Sequence, residues 1–131
     1  MSQMAIDTSA IIEVLTNGPL AGSIRQAMDS ADLVLVTPVA RVEAAFVMIG
    51  RFGLDRAAFD RAWQALGLEE TTVDSTIATL AIDAFEAWGK GRAKAGLNFG
   101  DCFSHALAAA RDLPLLFVGD DFSRADLEKA H

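Results

Sequence analysis

The chain has 131 residues, 52% hydrophobic and 22% charged, which suits one folded domain with a real core and argues for a globular rather than a disordered protein. A single Cys and two His exclude an internal disulfide and a zinc finger, and no apolar run approaches the about 20 residues that a membrane-spanning helix needs. The formal net charge of −7 argues against a broad phosphate-binding surface.

Met4 to Ile6 forms a short apolar run that ends in Asp7, and Ile11, Ile12, Val14 and Leu15 then predict a helix closed near Asn17-Gly18. Pro19 to Ser30 reads as a second helix. Leu33 to Val36 is continuously apolar, as in a strand buried on both faces. Thr37-Pro38 supplies a helix N-cap and a first-position proline. The helix it opens aligns Val39, Val42, Phe46 and Ile49 along one face and stops at Phe52-Gly53. A further helix is expected from about Asp55 to Leu68, carrying Phe59, Trp63 and Leu66. Glu70 to Val73 suggests a weak strand, and Ile77 to Trp88 a helix that Gly89-Lys90-Gly91 ends. Asn98 caps a helix to Arg111, Pro114 breaks it, and Leu115 to Val118 reads as a last buried strand. No repeat or linker divides the chain, so residues 1–131 are expected to form one domain.

Apolar strands alternating with amphipathic helices predict an α/β fold with a parallel sheet covered on both faces. Ligands of such folds bind beyond the carboxyl ends of the strands. Acidic residues gather there: Asp7 ends the first strand, Glu43 lies in the second turn of the helix after the second strand, and Asp120-Asp121 follow the last strand. Asp101 lies in the first turn of a later helix. Each acid also has a plainer explanation. Asp7 fits a helix cap, Asp101 a capping-box start after Asn98, and Asp120-Asp121 a turn after Gly119. Glu43, beside Val42, Phe46 and Val47, is the least easily explained, because a carboxylate is costly to bury without a partner. Together the acids crowd like charges at one sheet edge, and a divalent cation is the simplest way to neutralise them. With so few soft ligands, that cation would be a hard one held by oxygen, Mg²⁺ or Mn²⁺. One or two such ions can polarise a phosphodiester.

Ile6-Asp7-Thr8-Ser9-Ala10, then Glu43 in a helix, then Gly96-Leu-Asn-Phe-Gly-Asp-Cys-Phe103, then Pro114-Leu-Leu-Phe-Val-Gly-Asp-Asp-Phe122, resembles the PIN-domain ribonucleases. More narrowly, this order is similar to the VapC-type toxins of bacterial toxin–antitoxin pairs, over nearly the whole chain. The resemblance implies a three-layer α/β/α sandwich with a central parallel sheet. It also implies a Mg²⁺- or Mn²⁺-dependent endoribonuclease, a homodimer, and a cognate VapB-type antitoxin that blocks the active site. By position it makes Asp7, Glu43 and Asp101 the principal metal-site acids. The fourth would be Asp121, directly before Phe122, with Asp120 as the alternative. Thr8 or Ser9 would hydrogen-bond near the site. The reaction it implies is in-line attack by water on an RNA phosphodiester, leaving a 5′-phosphate and a 3′-hydroxyl. The family commonly starts two or three residues before its first Asp, so Met1-Ser2-Gln3 reads as an extension or Met4 as the natural start.

Lys90, Arg92 and Lys94 either grip RNA phosphates or belong to a solvated loop. His105 falls one helical turn after Asp101 and is expected to be a hydrogen-bonded or surface residue rather than a ligand. Cys102 is expected to be packed, and the lone thiol suits a reducing cytoplasm. Phe46, Phe52, Phe59 and Trp63 are read as mostly core, with any surplus forming a dimer face. Three rival functions fit these residues less well. A phosphatase with an Asp nucleophile would want a second acid where Ser9 stands, and a receiver domain would carry its acidic pair at the first strand. An inactive scaffold binding RNA or a partner would not need the complete acid set.

Overall fold

The computed structural model describes residues 1–91 and 96–119. Its elements run β1 (Gln3–Ile6), α1 (Thr8–Leu15), α2 (Ala21–Ser30), β2 (Leu33–Val36), α3 (Pro38–Ala45), a π-helical segment (Phe46–Arg51), α4 (Arg56–Ala65), β3 (Glu69–Glu70), α5 (Ser75–Trp88), α6 (Phe99–Arg111) and β4 (Leu115–Leu116). The strands form one parallel sheet in the order β3-β2-β1-β4. β1 is therefore central, with Ala5 opposite Leu35 on one side and opposite Leu115 on the other.

The pleat sends alternate side chains to two separate cores. Met4, Ile6, Val34, Val36 and Leu116 pack with Ile11, Val14 and Ile24, and with Ala40, Ala44, Met48 and Phe59. Ala5, Leu35, Leu115 and Phe117 face the other way, onto Ala81, Ala84, Cys102, Ala106 and Leu107 of α5 and α6. This makes the expected three-layer α/β/α arrangement. It also explains why β1 and β2 read as unbroken apolar runs: both faces of each are covered.

Polar side chains cap the starts of α3, α4 and α5. The Thr37 hydroxyl accepts from the Ala40 amide at 3.1 Å, with Pro38 at the first position of α3. Asp55 caps α4 and Asp74 caps α5, accepting from Ala58 at 2.7 Å and from Ile77 at 3.0 Å. β3 is shorter and one residue earlier than expected, because Glu69 and Glu70 pair with Leu35 and Val36. The Thr71 amide then closes on the Val36 carbonyl at 2.9 Å, and beyond it the chain leaves the sheet.

The helix opened by Pro38 departs from the sequence reading. After Ala45 it widens into the π-helical segment, shown by the Phe52 amide donating five residues back to Val47 at 3.2 Å. The face read as a core stripe is largely outside: Val42 is 48%, Phe46 74% and Ile49 36% exposed, and so is Phe52 at 49%. Ala40, Ala44 and Met48 are buried in its place. Phe59 is core as expected, and Trp63 is partly buried against it in a stacked ring pair.

Candidate active site

Asp7 is the residue at which β1 becomes α1. Its amide donates to the Leu116 carbonyl of β4 at 3.0 Å, so the sheet fixes its backbone, and its Oδ2 accepts from the Ser9 amide at 3.0 Å as the cap of α1. A cap is normally wet, but Asp7 is 1% exposed and its Oδ1 is buried with no hydrogen-bond partner among the described residues. An orphaned carboxylate oxygen is expensive, and folded chains seldom leave one without a reason.

Glu43 reaches the same place from α3. Its Oε1 accepts from the Thr8 hydroxyl at 2.8 Å, which ties α3 to the first residue of α1. Burial raises the Glu43 carboxyl above the ordinary carboxylate range, the Thr8 hydrogen bond opposes this, and the negative charge of Asp7 adds to it. Two acids 36 positions apart thus sense each other beyond the carboxyl end of the central strand. Neither takes part in a salt bridge among the described residues.

Asp101 approaches on α6 and is 8% exposed. It completes the capping box foreseen from the sequence: its amide donates to Asn98 Oδ1 at 2.9 Å, while its Oδ2 accepts from the Asn98 amide at 3.0 Å. The residue before it, Gly100, lies directly against the Glu43 carboxylate, so the first turn of α6 borders the acid pair. Ser9 adds a further tie, its hydroxyl accepting from the Val118 amide at 3.0 Å across 109 positions. Thr8 and Ser9 both hydrogen-bond at the site, Thr8 to an acid and Ser9 to the segment that leaves β4.

Asp120 and Asp121, with Arg92 and Lys94, lie outside the described residues. Lys90 is exposed, and its backbone amide donates to Leu97 at 2.8 Å in the bridge that leads from α5 into α6. His105 and Cys102 are buried on α6. Burial, then the Asp101 charge, push the Cys102 thiol up, which suits a packed and unreactive side chain. The sequence reading missed two features of α6. One is Gly100, whose signal is a glycine inside a helical turn; the other is Ser104, buried with a hydroxyl unpartnered among the described residues, which nothing in the pattern announced.

Among the described residues no three His, Cys, Asp or Glu side chains lie close enough together to hold a metal ion. The structure joins Asp7 and Glu43 and brings up the helix of Asp101, whose Oδ2 is turned back to its own cap. The donors present still suit a hard divalent cation. They are oxygen only, one is buried and orphaned, and the pair carries like charges with no salt-bridge cation beside them among the described residues.

The chain matches the PIN domain family over residues 4–128. It is 36% identical over 125 residues to the ribonuclease VapC30 of Mycobacterium tuberculosis, covering 95% of each chain. In fold it is similar to the crystal structure of M. tuberculosis VapC20, a sarcin–ricin loop cleaving toxin, with a TM-score of 0.71 at 17% identity over 95% of both chains. A chain of a toxin–antitoxin complex from Klebsiella pneumoniae superposes with a TM-score of 0.68 at 17% identity, over 93% of this chain and 92% of that one.

Proposed function

The chain belongs to the PIN-domain family, and on that premise we propose that it is a metal-dependent endoribonuclease, the toxin of a VapBC-type pair. The observation that carries the metal-dependent reading is the orphaned Asp7 oxygen beside a Glu43 carboxyl that the same aspartate helps to raise. Asp7 and Glu43, with Asp101 and with Asp121 or Asp120, would hold Mg²⁺ or Mn²⁺. Such a cation supplies Lewis acidity toward a phosphodiester and its attacking water. The chain's own residues do the positioning. Thr8 orients Glu43 through its 2.8 Å hydrogen bond, Ser9 fixes the Asp7 carboxylate through its amide, and the β4 carbonyl of Leu116 anchors the Asp7 backbone. Lys90, Arg92 and Lys94 are proposed to meet RNA phosphates, for which a chain of net charge −7 needs local cations.

The partners follow the same reading. A cognate antitoxin would restrain the enzyme, as the toxin–antitoxin complex among its structural relatives suggests. The exposed face of Val42, Phe46, Ile49 and Phe52 supports a homodimer, since so much apolar surface on one helix is unusual for a monomer. Light scattering on Phe46→Glu tests it, a monomer being expected.

Structured RNA incubated with the purified protein should be cut only with Mg²⁺ or Mn²⁺, and Asp101→Asn should abolish cutting. Cleavage that survives both EDTA and the substitution rules this reaction out. Hydrolysis of para-nitrophenyl phosphate in place of RNA would point to a phosphatase.

A further inference from the structure

We propose that Gly100 is a positioning residue: its missing side chain forms the slot in which the Glu43 carboxylate lies against the first turn of α6, one residue from Asp101. The catalytic consequence rests on the nuclease reading above, but the slot itself does not.

Gly100 sits two residues after the cap Asn98, inside a helix of 13 residues, where glycine is a poor choice. Its backbone conformation does not demand glycine, for it is absent from the positive-φ glycines, unlike Gly96 and Gly119. Space is what demands it. A Cβ on Gly100 would overlap Oε1, Cδ and Oε2 of Glu43 together, whereas one on Gly22 or Gly50 would meet nothing within 4 Å. The close approach also places a negative charge at the positive end of α6, where it is favoured. Three contacts then define where Glu43 can go: the Thr8 hydroxyl, the Gly100 Cα, and the bulk that keeps it half-buried. The atom that would clash is the far end of a flexible side chain. An added methyl should therefore displace the Glu43 carboxylate rather than the helix.

A double-mutant cycle tests this, using Gly100→Ala, Glu43→Ala and the pair, with Gly22→Ala as the control for alanine in an open helical position. The readouts are Mn²⁺ affinity by calorimetry, melting temperature without metal, and RNA cleavage. Gly100→Ala is expected to bind Mn²⁺ about 10- to 100-fold more weakly and to cleave about 10²-fold more slowly, as a displaced catalytic group does. It should not raise the melting temperature. In the Glu43→Ala background the same substitution should raise the melting temperature, as Gly22→Ala does, and cost no further Mn²⁺ affinity. Should Gly100→Ala fold poorly, pairing it with the shorter Glu43→Asp is expected to restore folding and part of the Mn²⁺ affinity. Additive effects on Mn²⁺ affinity in the cycle, or a Gly100→Ala protein that behaves like Gly22→Ala, would overturn the proposal. A wild-type protein that neither binds Mn²⁺ nor cuts RNA overturns the nuclease reading instead. The melting temperatures would still decide whether the slot exists.

Discussion

Among the described residues three helices begin at an aspartate cap, and only one of those aspartates lies at the candidate site. Asp55 and Asp74 cap α4 and α5 through single hydrogen bonds from amides three residues on, at exposed positions. Asp7 makes the same kind of bond at the start of α1, but at 1% exposure and with its second oxygen orphaned. The local motif is shared; the sheet beneath it is not. What separates a structural cap from a candidate catalytic acid is whether its spare oxygen reaches water or is held in the dry space beyond the central strand.

That contrast is easiest to break at Asp7 itself. Asn is as good a cap as Asp, so Asp7→Asn should keep α1 and leave the melting temperature without metal unchanged or higher, since a buried charge is removed. RNA cleavage should fall by more than the about 10²-fold typical of losing an outer-shell partner. A cleavage assay beside a thermal melt checks both halves. Next in size is Thr8→Val, which keeps the shape and removes the hydroxyl from Glu43. Mn²⁺ affinity should drop about 10-fold by calorimetry, with the fold intact. Asp74→Ala and Asp55→Ala should each lower stability by about 1 kcal/mol in a denaturant titration and leave cleavage unchanged. If either removed activity, the distinction between the caps would collapse.

The smallest effect is one of pH. The Glu43 carboxyl is raised in the folded protein, chiefly by burial, so between its unfolded and folded values the folded state binds more protons. Stability without metal should therefore rise as pH falls through the folded value, with the gain complete below the unfolded one. Glu43→Gln should remove that contribution, seen as the difference between the two proteins' stability–pH curves. Thr8→Val should enlarge it, because the hydrogen bond that favours the charged form is gone.

Much of this layout is legible from residues alone, for reasons that differ by element. Leu33–Val36 is recognisable because a strand buried on both faces must be apolar throughout. Asn98 and Asp101 are recognisable because a capping box has a fixed spacing. The acids of the site are visible as residue types whose clustering only the sheet can deliver. The helix after Pro38 is not legible in this way, because periodicity finds an apolar stripe without saying what covers it. Here the small Ala40 and Ala44 are the buried residues, on a helix that packs against α1 and α6, and Phe46 and Ile49 are left outside. The π-helical widening at Phe46–Arg51 further shifts the register of side chains, and no local residue pattern marks it. Gly100 escaped for a related reason: its role belongs to a contact with a residue 57 positions away.

The central place of β1 has a consequence for the order in which this protein can be assembled. The strand carrying Asp7 finds its first neighbour, β2, some 30 residues later, but its second, β4, only near residue 115. A chain emerging from the ribosome therefore exposes one hydrogen-bonding edge of β1 until Leu115 and Leu116 have been made. Until then the Leu116 carbonyl and the Val118 amide, which clamp Asp7 and Ser9, do not exist. Such long-range closure slows folding. For an enzyme that cuts RNA, it also means that no copy stopping short of β4 has the Leu116 carbonyl that fixes the Asp7 backbone.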